Sequence, residues 1–216
     1  MSSGPNLFRR DYSAHKLDEG DLTLNPLDLF KNWFSKAAES GETDVNAMTL
    51  STASKDGLPF SRIVLFKGLN ESETGFVFFT NFNSRKGKQL MENPWAALNF
   101  YWPIPERQIN IRGKVEKVKN EISDEYFRTR PRQSQISAWA SQQSEVIESR
   151  ELLEEKFSEI EKKFTGMDVP RPNNWGGFSI EPDFIEFWQG RVGRLHDRFL
   201  YSRNKDNGWK IERLSP

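Results

Sequence analysis

The chain has 216 residues, with 31 Lys+Arg against 31 Asp+Glu, no cysteine, two histidines, seven Trp and 17 Phe. That length fits one domain with a substantial core, and balanced charge leaves no net field to draw the protein to nucleic acid or an anionic membrane, so any anion site must be local. Without cysteine there is no disulfide, thiolate nucleophile, zinc knuckle or iron–sulfur cluster, and two histidines cannot build a histidine metal cluster, so no metal is expected.

The N-terminus lacks the apolar core of a signal peptide, and no run approaches the roughly 20 apolar residues of a membrane span, so a soluble, cytoplasmic protein is expected. Residues 1–24 are polar and weakly periodic, which predicts a mobile arm, and residues 25–216 are expected to form the single domain. Asn25 can cap a helix that opens on Pro26, with Leu29, Phe30, Trp33, Phe34 and Ala37 as one apolar stripe ending before Gly41. The period then shortens. Segments 47–52, 60–67, 76–80, 96–102 and 107–119 are rich in Val, Ile, Phe and Thr and are punctuated by Asp56-Gly57, Gly75 and Pro94, which predicts strands. A short helix is predicted over 84–93, and further helices over 123–129, 131–141 and 149–164. Pro170, Pro172 and Trp175-Gly176-Gly177 read as a linker, after which strands return at 178–180, 184–189, 198–203 and 209–214. The fold class is therefore mainly β with helices (α+β), with the strands in an antiparallel barrel or sandwich.

Four groups of residues carry possible chemistry. Ser84, Arg85 and Lys86 put a hydroxyl and two cations at a helix start, where free backbone N–H groups and the positive dipole end also favour an anion. The alternative is a solvated basic first turn, although cations are unfavourable there unless something negative is near. Residues 62–67 place a cation at each end of an apolar tetrapeptide, as either a ligand-lining strand or a buried strand with snorkelling ends. Tyr126, Arg130 and Ser134 recur every four residues, the spacing of one helical face; Pro131 interrupts it, yet the set converges if Pro131 opens a second helix with Ser134 in its first turn. Tyr126 is otherwise a core aromatic. Last, if 194–198 is extended, Arg194, His196 and Arg198 share one face while Leu195 and Asp197 take the other. Such a row suits an anionic, planar ligand, or else forms a solvated Arg/Asp ladder on an edge strand. A hydrolase triad through His196 and Asp197 is excluded because adjacent strand residues face oppositely and no G-x-S-x-G is present; G-x-G-x-x-G and P-loop motifs are also absent.

Taken together, Arg62–Lys67, Thr80-Asn81 with Ser84-Arg85-Lys86, Glu106-Arg107-Gln108, Tyr126-Phe127 with Arg130-Pro131-Arg132, Ser134-Gln135-Ile136, Gln143-Ser144, Trp175-Gly176-Gly177-Phe178 and Glu186-Phe187-Trp188-Gln189-Gly190 before Arg194-Leu195-His196-Asp197-Arg198 stand in the order of one family. From about Arg9 to Pro216 the chain resembles the pyridoxamine (pyridoxine) 5'-phosphate oxidases, flavin enzymes that make pyridoxal 5'-phosphate. The resemblance implies an FMN-binding split β-barrel with packed helices, and a homodimer with FMN at the interface. It implies FMN contacts from Arg62, Ile63, Val64, Leu65, Phe66, Lys67, Phe79, Thr80, Arg85, Lys86, Gln108, Gln143, Ser144, Trp188 and Arg198. Substrate phosphate would fall to Lys67, Tyr126, Arg130 and Ser134, and further substrate contacts to Arg194, Leu195 and His196, with Arg194 and His196 as the catalytic pair. Arg9, Arg10, Asp11 and Tyr12 would fold over the site as a lid. The implied reaction oxidises pyridoxine or pyridoxamine 5'-phosphate with O2, releasing H2O2 and, from the amine, ammonia. Two departures stand out: Phe79 where other members can carry tyrosine, and Ser137 where the family commonly has glycine, which would change local geometry if that position needs positive φ. Rival readings from other classes are a non-catalytic carrier of flavin or B6 phosphate and an NAD(P)H flavin reductase. The Arg194/His196 pair and the Tyr126/Arg130/Ser134 set argue against both.

Overall fold

The computed structural model describes residues 11–13 and 15–216, so Arg9 and Arg10 of the expected lid lie outside the described residues. The elements run α1 (Pro26–Glu39), β1 (Ala47–Ala53), β2 (Pro59–Leu65), β3 (Phe76–Asn81), α2 (Arg85–Glu92), β4 (Trp95–Trp102), β5 (Arg107–Lys117), α3 (Asn120–Thr129), α4 (Arg132–Ala140), α5 (Arg150–Lys163), β6 (Trp175–Gln189), β7 (Asp197–Arg203) and β8 (Trp209–Leu214). This is the expected mixture of strands and helices. Among the described residues the strands hydrogen-bond in the order β2-β1-β4-β5-β6-β7-β8, with β3 on β6 outside that path, so the sheet is not closed.

Local chemistry accounts for most boundaries. The Asn25 side chain accepts the Leu27 N–H, Pro26 takes the first helical position, and Leu29, Phe30, Trp33 and Ala37 of α1 are buried. Strands β1 and β4 alternate buried with more exposed positions, the signature of half-covered strands. Strand β2 breaks the pattern, leaving Phe60, Ile63 and Leu65 exposed.

Two expectations are corrected. The segments 178–180 and 184–189 form one continuous strand, β6, that also takes in the Trp175-Gly176-Gly177 stretch expected to be a linker. Its ladder with β3 runs to Ile180 and its ladder with β7 starts at Phe184, so Pro182 lies between these two ladders. The extended row at 194–198 does not form either. Val192–Arg194 is a 3-10 turn with Gly193 and Arg194 both at positive φ (68° and 66°), and β7 begins only at Asp197.

The chain packs as two compact units. One comprises the segments up to Thr49, Ala97–Arg112 and Pro182–Pro216. In its core, Trp33 meets the Phe187 ring edge-on at 5.2 Å and Phe187 meets Tyr201 at 5.6 Å. Leu17, in the segment expected to be an arm, is buried there, and its N–H donates to Asp197 Oδ2 at 3.1 Å. The second unit comprises Leu50–Ala96 and Gly113–Glu181. Its helical side is built on Phe127, Ile136, Phe164, Val169 and Trp175.

Candidate functional site

A cavity of about 660 Å³ opens in the second unit. Its walls are Ile63, Val64 and Leu65 at the end of β2, Lys67 just past it, Phe79 and Thr80 on β3, Lys86 on α2, and Tyr126, Arg130 and Ser134 at the α3–α4 junction, with Gln143 beyond. That junction is made by Pro131: α3 stops at Thr129, Arg130 and Pro131 are extended (ψ 145° and 141°), and α4 starts at Arg132. Ser134 donates its N–H to the Pro131 carbonyl at 2.8 Å, so it stands in the first turn of α4. The bend is what lets three residues spaced by four line one cavity across a helix break. Arg132 points elsewhere, donating to the carbonyls of Met167 and Phe164.

One wall is aromatic. Phe79 stacks on Tyr126 with centroids 4.0 Å apart and on Trp175 at 5.5 Å, and the Arg130 guanidinium lies 4.6 Å over Trp175. Phe79 therefore contributes a ring face, for which a hydroxyl is not needed. Sequence reasoning did not assign Trp175 to the site; its backbone carbonyl is held by Arg171, whose Nε also pairs with Asp124 at 2.6 Å. A tryptophan four residues after Arg171 in a Pro-rich stretch was the signal available.

The electrostatics call for an anion. Arg130 Nη1 is buried with no hydrogen-bond partner, and burial pushes the guanidinium pKa below its ordinary value. The Lys86 ammonium donates to Gln143 Oε1 at 2.8 Å and Thr80 Oγ1 at 3.1 Å. Burial, and then the charge of Arg62, push its pKa down to about 8. Burial and the charge of Arg85 likewise lower that of Arg62. Cations that burial and then a neighbouring cation hold below their ordinary pKa form a preorganised site for negative charge.

Not every expected residue joins this cavity. Successive helix residues diverge by about 100°, so Arg85 leaves Lys86 and lines a separate pocket of about 340 Å³ with Phe60 and Ser144, its guanidinium 4.5 Å over the Phe60 ring. Arg62 donates through Nη1 to the Leu50 carbonyl and Thr52, and Phe66 is buried against Phe76 at 5.7 Å. Ser137 does line the cavity; it is helical on α4 and donates to the Gln133 carbonyl at 2.8 Å, so no positive φ is required of it.

Gln108 lies on β5 in the first unit, where a second cluster gathers. Trp188 on β6 pairs with Arg198 on β7; its ring lies 4.6 Å from His196 and 5.6 Å from Tyr12, and Arg194 sits 5.8 Å over Tyr12. His196 Nδ1 accepts the Arg191 N–H at 3.1 Å. Burial, Arg194 and Arg198 push its pKa below the ordinary value. Near neutral pH the imidazole is thus uncharged, with its proton on Nε2 and available to donate. Arg198 is committed to Glu186 at 2.8 Å and to the Ser215 carbonyl. Leu195 is 73% exposed and Asp11 is exposed.

Residues 34–164 match the family model described as pyridoxamine 5'-phosphate oxidase, and residues 175–216 match the pyridoxine 5'-phosphate oxidase C-terminal dimerisation region. A pyridoxine/pyridoxamine 5'-phosphate oxidase of Nostoc punctiforme is 53% identical over 209 residues, covering 97% of each chain. One from Leptospira biflexa is 51% identical with the same coverage. Among solved structures, PhzG from Burkholderia lata, in complex with tetrahydrophenazine-1-carboxylic acid, superposes with a TM-score of 0.86 at 32% identity, covering 91% of this chain and 95% of its own. An FMN-binding, pyridoxamine 5'-phosphate oxidase-related protein of Nostoc punctiforme shares the fold at a TM-score of 0.71 and 18% identity, covering 90% of this chain and all of its own (100%).

Proposed function

The chain belongs to the pyridoxamine 5'-phosphate oxidase family, and on that premise we propose that it oxidises pyridoxine and pyridoxamine 5'-phosphates to pyridoxal 5'-phosphate, using FMN and O2. The observation that carries the reading is Arg130: a buried guanidinium nitrogen with no partner, on a residue that lines the same cavity as Lys67, Tyr126 and Ser134, supplies what a phosphate monoester lacks in water-free surroundings. FMN is the cofactor that family membership supports and that the cation-lined cavity fits, with Lys86, Thr80 and Gln143 as its polar contacts. Bound there, FMN would supply the two-electron acceptor for the substrate's C4' hydrogen, to be reoxidised by O2 with release of H2O2.

The protein's own work is positional. Lys67, Arg130 and Ser134 hold the substrate phosphate and Tyr126 contributes a ring and hydroxyl. Family membership supports Arg194 and neutral His196 as the contacts to the substrate ring, with His196 Nε2–H as a donor. A lid reading for Asp11 and Tyr12 is supported by Tyr12 lying against Trp188 and His196. For the amine, the aldehyde forms when water displaces ammonia from the imine, so one O2 and one H2O are consumed per H2O2 and NH3 released. A homodimer with FMN at its interface is supported by the matched dimerisation region and by the exposed Phe60, Ile63 and Leu65 of β2. Among the described residues no helix is long and apolar enough to cross a membrane.

The deciding experiment adds pyridoxine 5'-phosphate to the FMN-loaded protein without oxygen. The oxidised flavin band should bleach and return in air with stoichiometric H2O2. A band that persists favours a carrier, and bleaching only by NAD(P)H favours a reductase.

Lys86 gives a pH signature. A bound phosphate dianion favours the ammonium form, raising its pKa above the ligand-free value of about 8. The complex then holds more protons than its parts, so FMN binding at pH 8.5–9 should take up protons from a weak buffer, and affinity should fall as pH rises past about 8. Lys86→Gln should abolish both effects.

A further inference from the structure

Arg62 is not held by the cavity; it is held from behind. We propose that Thr52 and Gln89, which do not line the cavity, are positioning residues that hold the Arg62 guanidinium behind the cavity wall, where its charge acts with that of Lys86 to draw the anionic end of the flavin. This rests on the proposed FMN site, and deepens it.

The lock is a buried relay. Arg62 Nη1 donates to Thr52 Oγ1 at 2.7 Å and to the Leu50 carbonyl at 3.1 Å, and Thr52 Oγ1 donates to Gln89 Oε1 at 2.6 Å. Thr52 is 3% exposed and Gln89 is 6% exposed. A guanidinium can only donate, so the single hydroxyl proton must go to the amide, and the amide must present its oxygen. The polarity of the relay therefore has one solution.

Its geometry links three elements: Arg62 on β2, Thr52 on β1, and Gln89 on α2. Gln89 stands three residues after Lys86 and four after Arg85, on the same helix. Arg62 and Lys86 repel, as do Arg62 and Arg85, and without an anion a long guanidinium would swing toward solvent. The relay opposes that swing, so the positive cluster exists before the ligand arrives. Preorganisation of this kind raises affinity because the ligand does not have to order the side chain.

Thr52→Val keeps the shape and removes the hydroxyl; Thr52→Ser keeps the hydroxyl. Both are made in the full chain, and FMN dissociation constants are measured by fluorescence quenching across pH 7–10. Thr52→Val should weaken FMN about tenfold at pH 7.5, the loss of one charge-assisted contact, while Thr52→Ser stays within about twofold of the parent. A second readout separates positioning from general damage. With Arg62 withdrawn, Lys86 loses its repelling neighbour, so the alkaline fall in affinity should move to higher pH than in the parent. Should Thr52→Val not fold, Gln89→Leu, which removes the acceptor at the other end, carries the same two readouts. Unchanged affinity, or weaker affinity with an unmoved alkaline limb, overturns the proposal. Failure of the parent protein to bind FMN overturns the site reading itself, which is a different result.

Discussion

Replacing Arg130 by methionine is expected to raise KM for pyridoxine 5'-phosphate about 100-fold with FMN still bound, and yet to raise the melting temperature of the ligand-free protein by about 2–4 °C. The two effects have one cause. Arg130 lies 4.6 Å over Trp175 and 5.5 Å over Phe127, its Nη1 is buried without a partner, and burial lowers its pKa. Leaving a buried donor unsatisfied costs about 1–3 kcal/mol, and methionine fills a similar volume without it. When phosphate is present the same nitrogen becomes an asset: two charge-assisted bonds at about 1.5 kcal/mol each give the 100-fold. Steady-state kinetics and a thermal melt of the same preparation test both halves. A melting temperature that drops would mean that the ion–aromatic contacts outweigh the missing partner, and the idea of a site strained in favour of its ligand would be lost.

Arg130 also marks how much of the site was legible. Its spacing from Tyr126 and Ser134 is a helical signal, and Pro131 told where that signal must break; because a proline can end one helix and cap the next, the convergence followed from local rules. The cap at Asn25 and the alternation in β1 and β4 were readable for the same reason, since each depends on neighbours in sequence. The relay behind Arg62 was not. Thr52 and Gln89 are 37 residues apart, uncharged, and meaningful only once β1, β2 and α2 are packed. The divergence of Arg85 from Lys86 is a matter of helix rotation against a wall that the sequence does not display.

The C-terminal row failed on backbone rather than side chains. Alternation along 194–198 presumed an extended chain, but Gly193 and Arg194 both take left-handed conformations before β7 begins. An arginine at positive φ is rare enough that no residue-level rule predicts it. The consequence is chemical. Arg198 turns into a pairing with Glu186, while Arg194 and His196 group with Tyr12 instead of standing in line with it.

Gly87→Ala is the substitution expected to do most damage, costing FMN retention and lowering the melting temperature by about 5–10 °C. Gly87 lies in the first turn of α2, its N–H donating to the capping Ser84 hydroxyl at 3.3 Å. A Cβ there would come within 2.6 Å of the Phe82 carbonyl carbon and 2.7 Å of its Cα, closer than real Cβ atoms approach backbone. Phe82 cannot give way easily: its N–H donates to the Asn174 carbonyl at 2.6 Å and its ring packs edge-on against Phe178 at 5.3 Å. The start of the helix must move instead, and with it Lys86, whose ammonium reaches Thr80 and Gln143 only from its present position. Glycine costs up to about 1 kcal/mol of helix propensity relative to alanine, so on propensity alone the substitution should stabilise α2. The two accounts thus differ in sign, and a thermal melt with a flavin titration decides between them: a more stable, flavin-retaining Gly87→Ala protein would mean that close packing at Phe82 does not set the position of Lys86.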